Sequence, residues 1–126
     1  MFLNILVVLA LAVSASAHTI RVRGAFLCER NHRLPVFVEL MEYDTFKDDL
    51  LNWTQTEAFD MFEVTGTEKE LFGIMPYLKV MHRCRDFDEN LIVNLGRRKG
   101  IVDIDIGDID LDDPKTKTEI RDKFAV

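Results

Sequence analysis

Over most of this chain the apolar residues recur at every second position, which rules out a helical architecture and demands sheets with one buried face. Ile20, Val22, Gly24, Phe26 and Cys28 fall on one side of a strand, with Arg21 and Arg23 on the other. After Pro35, a natural strand opener, Val36, Val38 and Leu40 alternate with Phe37, Glu39 and Met41. Leu78, Val80, His82 and Cys84 share a face opposite Tyr77, Lys79, Met81 and Arg83. Leu91, Val93 and Leu95 repeat the pattern, as do Val102, Ile104 and Ile106 against Asp103 and Asp105. Met61 to Thr65 adds a short β-favouring run. Strands at this spacing, joined by polar or Gly/Pro connections, predict an all-β antiparallel sandwich. Two regions depart from alternation. Residues 42–53 are acidic and aromatic without a clean period. Thr67-Glu68-Lys69-Glu70 has the form of a capping box and predicts one or two helical turns before Pro76. The tail beyond Asp112 reads as a loosely ordered end or a short helix.

The first residues, MFLNILVVLALAVSASA, combine an apolar run with an Ala15-Ser16-Ala17 ending. That is the pattern of a secretory signal peptide, residues 1–17, cleaved between Ala17 and His18. The run is shorter than the roughly 20 apolar residues of a spanning helix. Residues 18–126 then form a single domain, expected to be secreted, extracellular and without stable membrane insertion. Every charged side chain lies beyond the leader, so the domain keeps the net charge of −6. An acidic balance gives no general means of neutralising phosphates, and nucleic acid is not expected as a partner.

Compartment bears on the two cysteines. Cys28 and Cys84 both sit on the apolar faces of their strands, and in an exported chain such thiols most often pair. A zinc set built from Cys28, His32, His82 and Cys84 is the rival, disfavoured by irregular spacing and by oxidation during secretion. Free or intermolecular thiols are the third option. A nucleophilic Cys–His pair would need an accessible, low-pKa thiolate, whereas His82 and Cys84 merely share a strand face. No catalytic residue, metal or cofactor is assigned.

Asn52-Trp53-Thr54 is an N-x-Thr sequon, and Asn52 is the expected glycosylation site if the chain enters the secretory pathway. Asp44, Asp48 and Asp49 lack the glycine and bidentate Glu of a known calcium loop and read as a solvated acidic loop. Trp53, Phe59 and Phe87 fall in segments read as connections. Folding inward is the commoner fate of such aromatics, but standing exposed they would form a recognition surface. Arg97-Arg98-Lys99, between Gly96 and Gly100, reads as a solvated hairpin tip that could also meet an anionic surface.

In order, VRGAFLC, PVFVELMEYD, DDLLNWTQTEAFDMFEVTGTEKE, PYLKVMHRC and VDIDIGDIDL resemble the nematode transthyretin-like family of secreted proteins, over Thr19 to Asp122. The resemblance implies a transthyretin-like β-sandwich of seven or eight strands with one short helix. Family members often carry a second cysteine pair; its two positions are both empty of cysteine here, which leaves Cys28 and Cys84 to each other. The family turn Thr-Asp-x-x-Gly-x-Phe is represented by Thr56-Glu57 with Asp60 in place of the glycine; Asp tolerates left-handed geometry better than most residues, so a hairpin with a reshaped tip is expected. The related hydrolase of 5-hydroxyisourate uses histidines, an arginine and a C-terminal Tyr-Arg-Gly-Ser, which this chain does not reproduce.

Together these readings give a non-enzymatic extracellular adaptor that recognises a protein, lipid or glycan through loops at the ends of its sheets. The binding residues expected are Trp53, Phe59, Phe87, Arg97, Arg98 and Lys99. An oligomeric carrier of a small apolar ligand is the alternative, followed by a hydrolase. Oligomeric state is left open.

Overall fold

The structure is a computed structural model and describes residues 17–126. The leader reading of residues 1–17 therefore lies, but for Ala17, outside the described residues. Seven strands and one short helix follow in order: β1 (Ala17–Leu27), β2 (Pro35–Glu42), β3 (Asp49–Glu57), β4 (Met61–Lys69), β5 (Pro76–His82), β6 (Glu89–Asn94), β7 (Ile101–Asp110) and α1 (Thr116–Ile120). They form a three-stranded sheet, β4-β1-β7, and a four-stranded sheet, β3-β2-β5-β6. Among the described residues no helix is long and apolar enough to cross a membrane.

The alternating residues do what their period requires. Ile20, Val22 and Phe26 from the first sheet meet Val36, Val38, Leu40, Leu78, Val80 and Val93 from the second, all without solvent exposure. Phe26 and Phe62, from neighbouring strands, stack with ring centroids 5.2 Å apart. Removing a fully buried Leu such as Leu40 or Leu78 would cost about 2–5 kcal/mol, because a core at this density closes cavities poorly.

Not every pairing is antiparallel. β1 and β7 run parallel, and their register shifts between Arg23 and Ala25. The shift has a sequence trace. Ile104 and Ile106 are buried at even positions, Ile109 and Leu111 at odd ones, and the change of phase falls at Gly107, whose φ of 67° suits glycine.

Two expectations from the irregular regions are corrected. Residues 49–57 are a strand, β3, at the edge of its sheet. Thr67, Glu68 and Lys69 are not a helical cap; they extend β4 and pair with Thr19, His18 and Ala17. The local helix-start signal loses here to an extended partner supplied from more than 45 residues away. The C-terminal tail is ordered against the sandwich: Asn94 N–H donates to the Arg121 carbonyl at 2.7 Å, and Ile120 is buried.

Cys28 and Cys84 are disulfide-bonded, with 5.9 Å between their Cα atoms. The bridge fastens the strand-end of β1 to the segment after β5, one sheet to the other. His82 beside it is buried, not half-exposed: its Nδ1 accepts the Cys84 N–H at 3.1 Å, and burial above all pushes its pKa down.

Candidate functional site at one end of the sandwich

The loops divide between two ends. At the disulfide end lie residues 28–34, 58–60 and 83–88. At the opposite end lie 43–48, 70–75 and 95–100, knitted together by Tyr43 N–H to the Met75 carbonyl (3.1 Å) and by the Ile74–Arg98 bridge. The expected binding residues are therefore not one patch. Phe59 and Phe87 stand at the disulfide end, Trp53 stands in the edge strand β3, and residues 97–99 stand at the far end.

All three aromatics are exposed rather than folded into the core, which corrects the inward reading. The strand or turn that carries each one aims it away from the inter-sheet space. Trp53, 61% exposed, shares a row with Glu39, Lys79 and Ile92 on the outer face of the four-stranded sheet. Phe59 tilts against His32 with centroids 4.6 Å apart, and Phe87 lies under the Arg85 guanidinium at 5.2 Å. The left-handed residue of the β3–β4 turn is Phe59, with φ 71°, and not Asp60 as the turn motif suggested. The Phe59 N–H, donated to the Phe26 carbonyl at 2.8 Å, fixes it there.

Arg98 is also reassigned. Its guanidinium donates to the Leu95 and Phe124 carbonyls at 2.6 and 3.1 Å, so it serves the fold by holding the tail. Arg97 and Lys99 remain exposed, without a carboxylate partner among the described residues.

Other apolar residues stand exposed at the same end of the sandwich. Phe46 is 98% exposed, Phe72 is 70% exposed, and Leu71, Met75 and Ile101 are exposed as well. Single exposed apolar residues mean little, but these stand on two neighbouring loops and at the start of β7, all at one end of the sandwich. The available signal was Leu71-Phe72 directly after a polar strand end. The helical-cap reading of residues 67–70 obscured it.

Beneath the 43–48 loop the chemistry turns acidic. Asp48 accepts from the Asp44 N–H at 3.2 Å and from the Tyr77 hydroxyl at 2.5 Å, and Tyr77 packs on Tyr43 at 4.4 Å. Burial first, and then this hydrogen bond to Asp48, push the Tyr77 pKa up. Glu42 and Asp49 are direct partners across β2 and β3, and one carboxylate oxygen each of Glu42, Asp49 and Glu68 lies within 4.8 Å of the others. Glu68 comes from the other sheet. Gly66 permits the approach: a Cβ there would sit 2.6 Å from Leu51 Cβ and 2.9 Å from Leu40 Cδ2.

Comparison with known proteins bears on the whole arrangement. Residues 23–105 match the transthyretin-like family. The chain belongs to that family. Among its relatives, transthyretin-like protein 16 of Caenorhabditis elegans is 37% identical over 89 residues, covering 70% of this chain and 67% of the relative. Transthyretin-like protein 46 of the same organism is 35% identical over 88 residues, covering 68% of this chain and 49% of the relative. Transthyretin-like proteins 1 and 2 are likewise covered over 49% of their length, so the chain spans about half of several relatives it matches. A 9R-lipoxygenase from Cyanothece aligns with 75% of this chain and 17% of its own at a TM-score of 0.41 and 18% identity, a likeness too weak to bear on fold or function.

Proposed function

We propose that this transthyretin-like domain is an extracellular, non-enzymatic binding protein that docks a protein, lipid or glycan partner on the loop end formed by residues 43–48, 70–75 and 95–100. The observation that carries this reading is the apolar group Phe46, Leu71 and Phe72, held on loops tied to each other and flanked by Arg97 and Lys99. A rigid sandwich presenting apolar tips with a charged rim has the composition of a recognition surface.

The histidines support a non-catalytic reading. His18 engages the Glu70 carbonyl at 2.7 Å and the Gly100 N–H at 2.8 Å, His82 accepts from Cys84, and His32 packs tilted against Phe59 and faces Glu29. Each imidazole is thus occupied with structure. Export through a leader cleaved at Ala17–His18 and a glycan on Asn52 belong to the same proposal. Asn52 is exposed on edge strand β3, where a glycan would shield the open strand edge.

The test is a pull-down from extracellular fluid with the disulfide-bonded protein and a Phe46→Ser/Phe72→Ser variant. Wild type should retain a partner that the variant loses, with unchanged thermal unfolding. Equal retention by both removes the loop end from the proposal. Amino-terminal sequencing of the protein secreted from cells expressing the full chain checks the leader, and should begin at His18.

The carrier reading has one observation of its own. A groove of about 480 Å³, lined by Leu34, Pro35, Phe37, Met81 and Asn90 among others, lies at the disulfide end, where the starts of β2 and β6 meet the end of β5. That volume is in the range of small-molecule sites. Titration with an environment-sensitive apolar dye, compared between wild type and Phe37→Ser, tests it; no saturable signal removes it.

A further inference from the structure

We propose that Glu42, Asp49 and Glu68 form a calcium-binding site at the base of the 43–48 loop. Two independent observations meet here. The first is the cluster: three carboxylates from β2, β3 and β4 place oxygens within 4.8 Å of one another. The second is Glu42 itself. It is only 3% exposed, and its Oε2 is buried with no hydrogen-bond donor. Leaving a carboxylate oxygen dry and unpartnered costs free energy that a fold normally avoids, and a metal ion supplies the missing partner.

The surroundings offer no protein cation in its place. None of Glu42, Asp44, Asp48, Asp49, Glu68 or Glu70 takes part in an ion pair among the described residues. Burial first, and then Glu70, Glu68, Asp49 and Asp44, push the Glu42 pKa up to about 7. Burial and then Asp44 push Asp49 in the same direction. Without an ion, the cost of gathering these carboxylates falls on Glu42, which holds its proton to higher pH.

The donors select the ion. All are carboxylate oxygens, which suit hard cations and exclude thiophilic ones. Three carboxylates converging from two sheets suit calcium, which takes six to eight oxygen ligands in a flexible geometry, better than magnesium, which usually keeps several waters and binds through one or two carboxylates. Water would complete the shell, and Asp44 and Glu70 add negative charge around it. The site also explains the placement of Glu68: one ion would hold β4 of one sheet to β2 and β3 of the other, at the end away from the disulfide. It depends on no partner docking at the loops, and its test reads the ion alone.

The test is thermal unfolding of the protein produced from the full chain, in chelator and in calcium chloride up to about 10 mM, beyond the affinity range of extracellular calcium modules. At tenfold above its Kd, calcium should raise Tm by roughly 5–10 °C, and magnesium should raise it less. Glu42→Gln and Glu68→Gln keep the side-chain shape and should abolish the response, while Glu39→Gln, on the outer face of β2, should retain it. Titration calorimetry on the wild type should show one site. No calcium response in the wild type overturns the proposal, as does an equal response in Glu42→Gln and Glu68→Gln or an equal response to both metals.

Discussion

Arg85 grips Glu89 through two near-parallel hydrogen bonds, Nε at 2.8 Å and an Nη nitrogen at 2.7 Å, closing the β5–β6 loop like a buckle. Both side chains are mostly covered, Glu89 more than Arg85, whose guanidinium lies over the Phe87 ring. The hydrogen bonds from Arg85, chiefly, hold the Glu89 carboxyl below its usual range. A carboxyl whose folded pKa is depressed contributes stability above its unfolded value of about 4.3, and that contribution disappears as pH falls through the lower folded value. Arg85→Ala should therefore lower stability at neutral pH and flatten its acid dependence below about pH 4.3. Urea midpoints for both proteins between neutral and acidic pH check this; parallel curves would contradict it.

The Cys28–Cys84 bridge closes a loop with a sequence separation of 56. In the chain-entropy treatment a tether of that size contributes about 4 kcal/mol, of the same order as a small domain's whole margin. Reduction, or a Cys28→Ala/Cys84→Ala variant, should lower the unfolding free energy by about that amount. Denaturant titration with and without reductant measures it.

Phe59 sits at φ 71°, a backbone that costs a bulky residue about 1–2 kcal/mol. Alanine at this position keeps the strain, and glycine does not. Phe59→Gly should be more stable than Phe59→Ala by about 1 kcal/mol. Had Asp60 been the left-handed residue, the Gly/Ala difference would appear at 60 instead.

Gly66 has no room for a methyl group. Gly66→Ala should destabilise the domain by about 1–3 kcal/mol through overpacking against Leu40 and Leu51. Because Glu68 is two residues away on the same strand, the variant should also weaken any calcium response. Calorimetric unfolding with and without calcium reads both effects.

What the sequence made legible follows from what each strand buries. β1, β2, β5 and β6 have one face against the core, so hydrophobic period and burial coincide, and Ile20, Val38, Leu78 and Val93 lie where alternation puts them. β3 was hidden because it is an edge strand: Leu50, Asn52 and Trp53 are all exposed, and exposure erases the alternation. Residues 67–70 misled because a local capping signal says nothing about a distant strand partner. The disulfide was readable from the strand faces of Cys28 and Cys84 together with the expectation of export. Glu42, Asp49 and Glu68 were not readable as a group, since Glu68 arrives from another sheet and only folding shows that Gly66 lets it approach. Arg98 and the basic turn look alike in sequence; the carbonyls of Leu95 and Phe124 are what separate Arg98 from its neighbours.

The account turns on which surface meets the partner. Hydrogen-exchange mass spectrometry of the disulfide-bonded protein, alone and with material captured from extracellular fluid, measures this directly. Slowed exchange should concentrate in residues 43–48, 70–75 and 95–100. Protection confined to residues 28–34 and 83–88, or to the outer face of β2 and β5, would contradict the account.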